Sequence, residues 1–335
     1  GENFKYSNGK NIRISQRISK LFGSYVNNKF KIGYPRLLIK DNCTDCNQCL
    51  VGCEFDSIWY PKKIDFETIE NMNLSILDNV FVTSVSESGI YYESNGEIRT
   101  IGCENIILAA GVMQNYKLLA KLKHLKDTKA DLLTTPALAF AFIDISKNKE
   151  TEFFGMGNAT FLIKEMDNED IKFYGNLYDG YSLAVSKGKV FSKYNLVDVA
   201  YKFLSRFMVA GAGFISSDSV ENTLEYKNDT VFVNGIYRKK YNNTMDETVS
   251  VLKKFLKEKG SQLIHIKKTS LGADIHYAGG IPKELLDKNL ISDGKLAGIN
   301  NIMVVGGSTF SYLPAQSPTL SFIANSYRIG ENFEK

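Results

Sequence analysis

The spacing of apolar positions changes twice along the chain. Residues 10–30 carry Ile, Leu, Phe and Val at mixed helical spacing, and the stretch DNCTDCNQCLVGC that follows, with its Gly, Asp and Asn, reads as a loop. From Asn79 the period shortens to two. NVFVTSV, GIYYES from Gly89 and EIRTIGCENIILAAG from Glu97 alternate or run apolar with β-branched residues, which predicts three strands, the last one buried. Ser94, Asn95 and Gly96 supply a hairpin turn between the second and third. After Gly111 the apolar residues of VMQNYKLLAKLKHL return to helical spacing. Aromatic and β-branched runs between residues 130 and 245, such as TEFFGMGNATFLI, IKFYGNLY and TVFVNGIYRKKY, predict a mostly antiparallel sheet. DETVSVLKKFLKEKG predicts a helix stopped by Gly260. The end is α/β again: NIMVVGG from Asn301 reads as a buried strand, and SPTLSFIANSYRIGENF as a helix entered through Ser317 and Pro318. No repeat or low-complexity segment interrupts this order.

Length and composition narrow the class. A chain of 335 residues with 44% hydrophobic and 23% charged positions has material for two or three domains with a large core. The 41 Lys and Arg against 37 Asp and Glu leave a net charge of +4, and the basic residues are scattered in short groups, so no nucleic-acid partner is expected. Apolar stretches such as 106–113 and 137–143 fall short of the roughly 18 residues of a membrane-spanning helix. Neither a transmembrane segment nor a signal peptide is expected, and cysteines clustered for metal fit a reducing cytoplasm, the location expected.

Candidate chemistry starts with cysteine. Cys43, Cys46, Cys49 and Cys53 form C-x2-C-x2-C-x3-C, the spacing that wraps thiolates around an iron–sulfur cluster (4Fe-4S or 3Fe-4S). Glu54 replaces the Pro that usually follows, so zinc, a disulfide pair or simply packed thiols stay open, with Cys103 the only spare thiol. Of the three histidines, His124 in a Lys-rich helix and His265 on a strand-like run read as solvated or packed. His276 stands in SLGADIHYAGGIP between small residues that let a ligand approach the backbone. Gly155-Met156-Gly157 and Gly211-Ala212-Gly213 begin like dinucleotide fingerprints but lack a third glycine in register, and read as glycine turns in a sheet domain. Phe153, Phe154, Tyr174, Tyr178 and Tyr181 suit an apolar or a sugar-stacking pocket, or sheet core.

Together, NIILAAGVMQNYKLL, then HYAGG, then GKLAGINNIMVVGGSTFSYLPAQSPTLSFIANSYRIGENF resemble the glucose-methanol-choline family of FAD-dependent oxidoreductases. The most specific match covers residues 272–333. The resemblance implies a mixed α/β fold: a Rossmann-like FAD-binding domain, incomplete at its N-terminus because the family's G-x-G-x-x-G fingerprint is absent, with a mostly antiparallel substrate-binding sheet domain inserted. The implied division is residues 1–125 with the Cys-rich loop 42–54, then 126–265 for the sheet domain, then 266–335. It implies a cofactor site at Val85, Ala110, Gly111, Gly306, Gly307, Pro318 and Thr319. It also implies oxidation of an alcohol (a sugar, sterol-like or other CH-OH donor) to a carbonyl, with His276 as general base and hydride transfer to the flavin N5. The second catalytic position, His or Asn in the family, is Ser317 here, with Gln316 as a substitute, and Gly306 stands where an Asp is common. An iron–sulfur cluster would give electrons an exit towards a protein or quinone acceptor and favour dehydrogenase over oxidase. The alternatives are an iron–sulfur electron-transfer protein and a degenerate, non-catalytic relative.

Overall fold

The computed structural model describes residues 4–7, 16–25, 29–35, 37–40, 42–44, 52–58, 74–122, 125, 128–145, 159–164, 170–179, 207–269 and 275–333. Cys46, Cys49, His124, Phe153, Phe154, Tyr181 and the glycines at 155 and 157 lie outside these residues. Strands, in chain order, are β1 (Phe4–Ser7), β2 (Gly23–Tyr25), β3 (Phe30–Gly33), β4 (Leu37–Lys40), β5 (Phe81–Ser86), β6 (Gly89–Ser94), β7 (Glu97–Gly102), β8 (Ile106–Leu108) and β9 (Lys129–Thr134). They continue with β10 (Ala137–Ile143), β11 (Ala159–Lys164), β12 (Ile171–Asp179), β13 (Met208–Ile215), β14 (Val220–Lys227), β15 (Thr230–Tyr237), β16 (Gln262–Lys268), β17 (Tyr277–Gly279) and β18 (Ile302–Val304). The helices are α1 (Gln16–Ser19), α2 (Val112–Ala120), α3 (Lys239–Glu258) and α4 (Thr319–Glu331). Among the described residues no helix is long and apolar enough to cross a membrane.

Two compact units share the chain: Gly1–Thr68, Ala137–Ile215 and Asn243–Thr269 form the first, and Ile69–Pro136, Ser216–Asn242 and Ser270–Lys335 the second. Residues 1–68 fall in the first unit and residues 216–242 in the second.

The first unit is built on a seven-stranded antiparallel sheet in the order β16-β10-β13-β12-β11-β3-β2. Its core is phenylalanine: the Phe161 ring lies 5.7 Å from Phe140, 5.4 Å from Phe173 and 6.1 Å from Phe30, and Phe30 meets Phe255 of α3 at 4.4 Å. Gly211 and Gly213 of β13 make this packing feasible. A Cβ on Gly211 would stand 2.2 Å from the Phe140 ring, and one on Gly213 would stand 2.6 Å from that of Phe173. This Gly-x-Gly lies inside β13 rather than in the turns expected of it, and serves packing. Helix α3 begins seven residues before the expected Asp246, because Tyr241, Thr244, Met245, Thr248, Leu252 and Phe255 form one buried stripe at spacings of three and four. It stops at Gly260 (φ +74°), as expected.

The second unit holds three sheets. β5-β6-β7 is an antiparallel meander, turned at Asn95 (φ 52°) and Gly96 (φ 81°) as the sequence predicted. β15-β14-β9-β17 is antiparallel, and β8 and β18 form a parallel pair. The single buried strand expected from Glu97 onwards is two strands in different sheets. β7 is exposed along its whole length, and the alternation breaks at Gly102 to Asn105, where Asn301 donates a 3.1 Å hydrogen bond to the Glu104 carbonyl. Only Ile106–Leu108 then enters the core, beside Ile302–Val304 and under Leu118, Leu119 and Ile281.

Candidate flavin and alcohol-oxidation site

Parallel β8 and β18 run their C-terminal ends into two loops, Ala109 to Gly111 and Val305 to Thr309, the side of a parallel sheet where ligands of α/β folds gather. Both loops turn through a left-handed glycine, Gly111 (φ +82°) and Gly306 (φ +75°). A Cβ at either would find no atom within 4 Å, so the backbone there faces open space. Gly307 is different: a Cβ on it would stand 2.5 Å from the Tyr277 carbonyl and 2.9 Å from Val112, and one on Gly280 would lie 2.7 Å from Val112. Glycine at these two positions draws the loop, β17 and the start of α2 together.

One residue that sequence reading passed over joins the two loops. Asn115, fully buried on α2, accepts from the Ala110 N–H at 3.0 Å and donates to the Leu108 carbonyl at 3.2 Å and to the Ser308 hydroxyl at 3.1 Å. Its carboxamide thereby ties the end of β8 to the turn after β18. On α4, Ser326 accepts from the Gly306 N–H at 3.0 Å, and Asn325 donates to Thr309 at 2.9 Å. The only sequence signal for these residues was their polarity inside otherwise apolar helical stripes.

Helix α4 starts beside the same loops, with Pro318 at its N-cap and no side chain capping it. Ser317 and Thr319 are exposed, Gln316 half-buried and Pro318 buried. The segment before them is fastened by two bonds, Ser217 N–H to the Leu313 carbonyl at 2.9 Å and Leu313 N–H to the Ser217 hydroxyl at 3.0 Å. Val85 lies in the core among Ile106, Leu118 and Val304, so its side chain is spent on packing.

His276 immediately precedes β17, whose Tyr277 is in register with Thr134 of β9. Its Nδ1 is 2.9 Å from the hydroxyl of Thr135, which is wholly buried. With Nδ1–H donating to Thr135, Nε2 carries the ring's lone pair. Burial holds the imidazole below its ordinary pKa, which keeps it neutral at pH 7. His265 is exposed on β16, as expected. A cleft of about 390 Å³ opens beside these elements, lined by Asp131, Leu133, Gly279, Gly280, Ser308 and Phe310 among others.

No family profile and no curated protein matches the sequence. Among solved structures, pyridoxine 4-oxidase from Mesorbium loti superposes with a TM-score of 0.50 at 10% identity, over 78% of this chain and 58% of its own. An FAD-dependent oxidoreductase from Chaetomium thermophilum, solved with a small-molecule fragment, superposes at 0.51 and 11% identity, over 80% of this chain and 63% of its own. The fold is that of the FAD-dependent oxidoreductases. This is the mixed α/β fold that the resemblance to the glucose-methanol-choline family implied. The chain spans less than two thirds of the length of either neighbour.

The cysteine motif is described in part. Cys43 and Cys53 belong to the first unit and Cys103 to the second, where it packs against the core and donates to the Ile101 carbonyl at 3.7 Å. Burial pushes the Cys53 thiol up, but hydrogen bonds from the backbone of Ser57, Ile58 and Phe55 and from the Ser57 hydroxyl outweigh it, so the pKa falls below the ordinary thiol value. The Ser57 N–H lies 3.1 Å from the sulfur. Among the described residues no group of three His, Cys, Asp or Glu side chains could hold a metal ion.

Proposed function

We propose that this chain provides the catalytic histidine and part of the flavin site of an FAD-dependent enzyme that oxidises an alcohol, a small-molecule CH-OH donor, to a carbonyl. The observation that carries the reading is the convergence, within one unit, of two open glycine loops at the ends of β8 and β18 with a neutral, half-buried imidazole fixed by Thr135. Ala110, Gly111, Gly306 and Gly307 would approach the cofactor by their backbone, and the uncapped start of α4 at Pro318 and Thr319 would turn N–H groups towards the negative edge of a reduced flavin ring. When bound, the flavin supplies the hydride acceptor. His276 Nε2 takes the hydroxyl proton while Thr135 holds the ring by Nδ1, and the neutral imidazole needs no prior deprotonation. Ser317, or Gln316, donates a hydrogen bond to the substrate oxygen as negative charge develops there.

The C-x2-C-x2-C-x3-C spacing supports the further reading that Cys43, Cys46, Cys49 and Cys53 hold an iron–sulfur cluster as an electron exit towards a protein or quinone acceptor. Such an exit favours a dehydrogenase over an oxidase. The test is His276→Ala in the flavin-loaded protein. Turnover of alcohols falls by about 10² to 10⁴ with flavin still bound; unchanged turnover refutes the assignment.

A further inference from the structure

On one face of the sheet β15-β14-β9-β17, helix α2 covers only one end. Val112, Tyr116 and Ala120 pack on Ala130, Leu132 and Leu224, and Met113 packs against the same cluster and lines a cleft beside it. Gly235 of β15 stands opposite Asn222 of β14, which in turn stands opposite Leu132 of β9. The missing side chain at Gly235 leaves a cleft of about 310 Å³, lined by Met113, Leu132, Thr134, Asn222, Val233, Gly235 and Tyr277. That volume falls at the lower end of small-molecule sites. Thr134 and Tyr277 stand opposite one another in the ladder, and the sequence positions after Thr134 and before Tyr277 are Thr135 and His276. Leu132 and Thr134 of β9 line this cleft whereas Asp131 and Leu133 line the cleft of about 390 Å³, and successive residues of a strand face opposite ways, so the two clefts lie on opposite faces of β9.

Asn222 makes this cleft more than a gap in packing. It is 5% exposed, and its Nδ2 donates to the Thr134 hydroxyl at 2.9 Å. Among the described residues no other hydrogen bond of its carboxamide is seen, and its oxygen is not shut away from water, so the amide edge is open at the cleft that it lines. An amide edge that water reaches can exchange that water for a ligand carrying the complementary acceptor and donor. Among the described residues no lining side chain is charged, so an ionic ligand would lose its hydration with no counter-charge from them. Met113, Leu132, Val233 and Tyr277 offer apolar and aromatic walls to a flat body.

We infer that this cleft is a binding site for a small, uncharged molecule with an apolar body and an amide-like edge, one acceptor beside one donor, that pairs with the Asn222 carboxamide. The site is separate from the flavin loops and stands whether or not the flavin reading does. The probe is benzamide, with benzoate as its charged, isosteric counterpart, titrated into the full chain and followed by NMR of the Met113 methyl and by calorimetry. Benzamide binds and shifts the Met113 signal, while benzoate binds at least about tenfold more weakly. Asn222→Leu removes the paired edge and Val233→Trp fills the cleft from a half-exposed position, and each weakens benzamide by about tenfold or more. If Asn222→Leu does not fold, Val233→Trp decides alone. Equal binding of benzoate, benzamide affinity unchanged in a folded variant, or no benzamide binding up to its solubility limit overturns the inference.

Discussion

Two pairs of glycines in this molecule do opposite things. In the first unit, Gly211 and Gly213 are closed over by phenylalanine rings, so that any side chain would collide with Phe140 or Phe173. In the second, Gly111 and Gly306 take left-handed conformations facing open space. The first pair makes room for a core, and the second leaves backbone accessible to a ligand. Residue type alone does not separate these roles. What separates them is the environment: a period-two antiparallel strand in one case, the C-terminal ends of parallel strands in the other.

The contrast is broken most strongly from the core side. Phe161→Ala removes the ring that Phe30, Phe140 and Phe173 share and lowers stability by about 3–5 kcal/mol, read from denaturant unfolding. Asn115→Leu strands the Ala110 N–H and the Ser308 hydroxyl, and loses about 1–3 kcal/mol together with flavin affinity. Two alanine substitutions then sharpen the comparison. Gly211→Ala overpacks the sheet by about 1–3 kcal/mol and leaves flavin binding alone. Gly306→Ala, at a left-handed φ, loses about 1–2 kcal/mol and weakens flavin as well. Flavin retention should therefore distinguish two variants of similar stability.

The smallest effect comes from His276. Burial lowers its folded pKa, whereas the unfolded chain takes up the proton near its ordinary value of about 6.5. The unfolded state then binds more protons below that value, so stability falls as pH drops through about 6.5 and is flat above it. His276→Gln should remove that part of the acid slope, measured as the urea midpoint across pH.

Much of this arrangement was legible in the chain. The hairpin at Asn95 and Gly96, the turn from Ala109 through Gly111 into α2, the β18 strand and the Pro318 helix entry all follow local rules of period and turn chemistry, and the structure has them. The false unity of residues 97–108 came from reading two apolar runs as one, since nothing local says that a strand leaves one sheet and enters another. The early start of α3 was hidden by Lys239, Lys240, Asn242 and Asn243, polar residues on the outer face of a stripe whose inner face is Tyr241 and Met245. His276 stood out by its glycine-flanked loop. Its partner Thr135 is 141 positions away and Asn115 joins Ser308 across 193, separations at which sequence spacing carries no signal.

The most direct measurement is the flavin content and absorption spectrum of the protein expressed full length, wild type beside Gly306→Ala and Gly211→Ala. The account predicts bound flavin in the wild type and in Gly211→Ala and a marked loss in Gly306→Ala while it remains folded. Flavin retained equally in all three, or absent from the wild type after reconstitution with FAD, would contradict it.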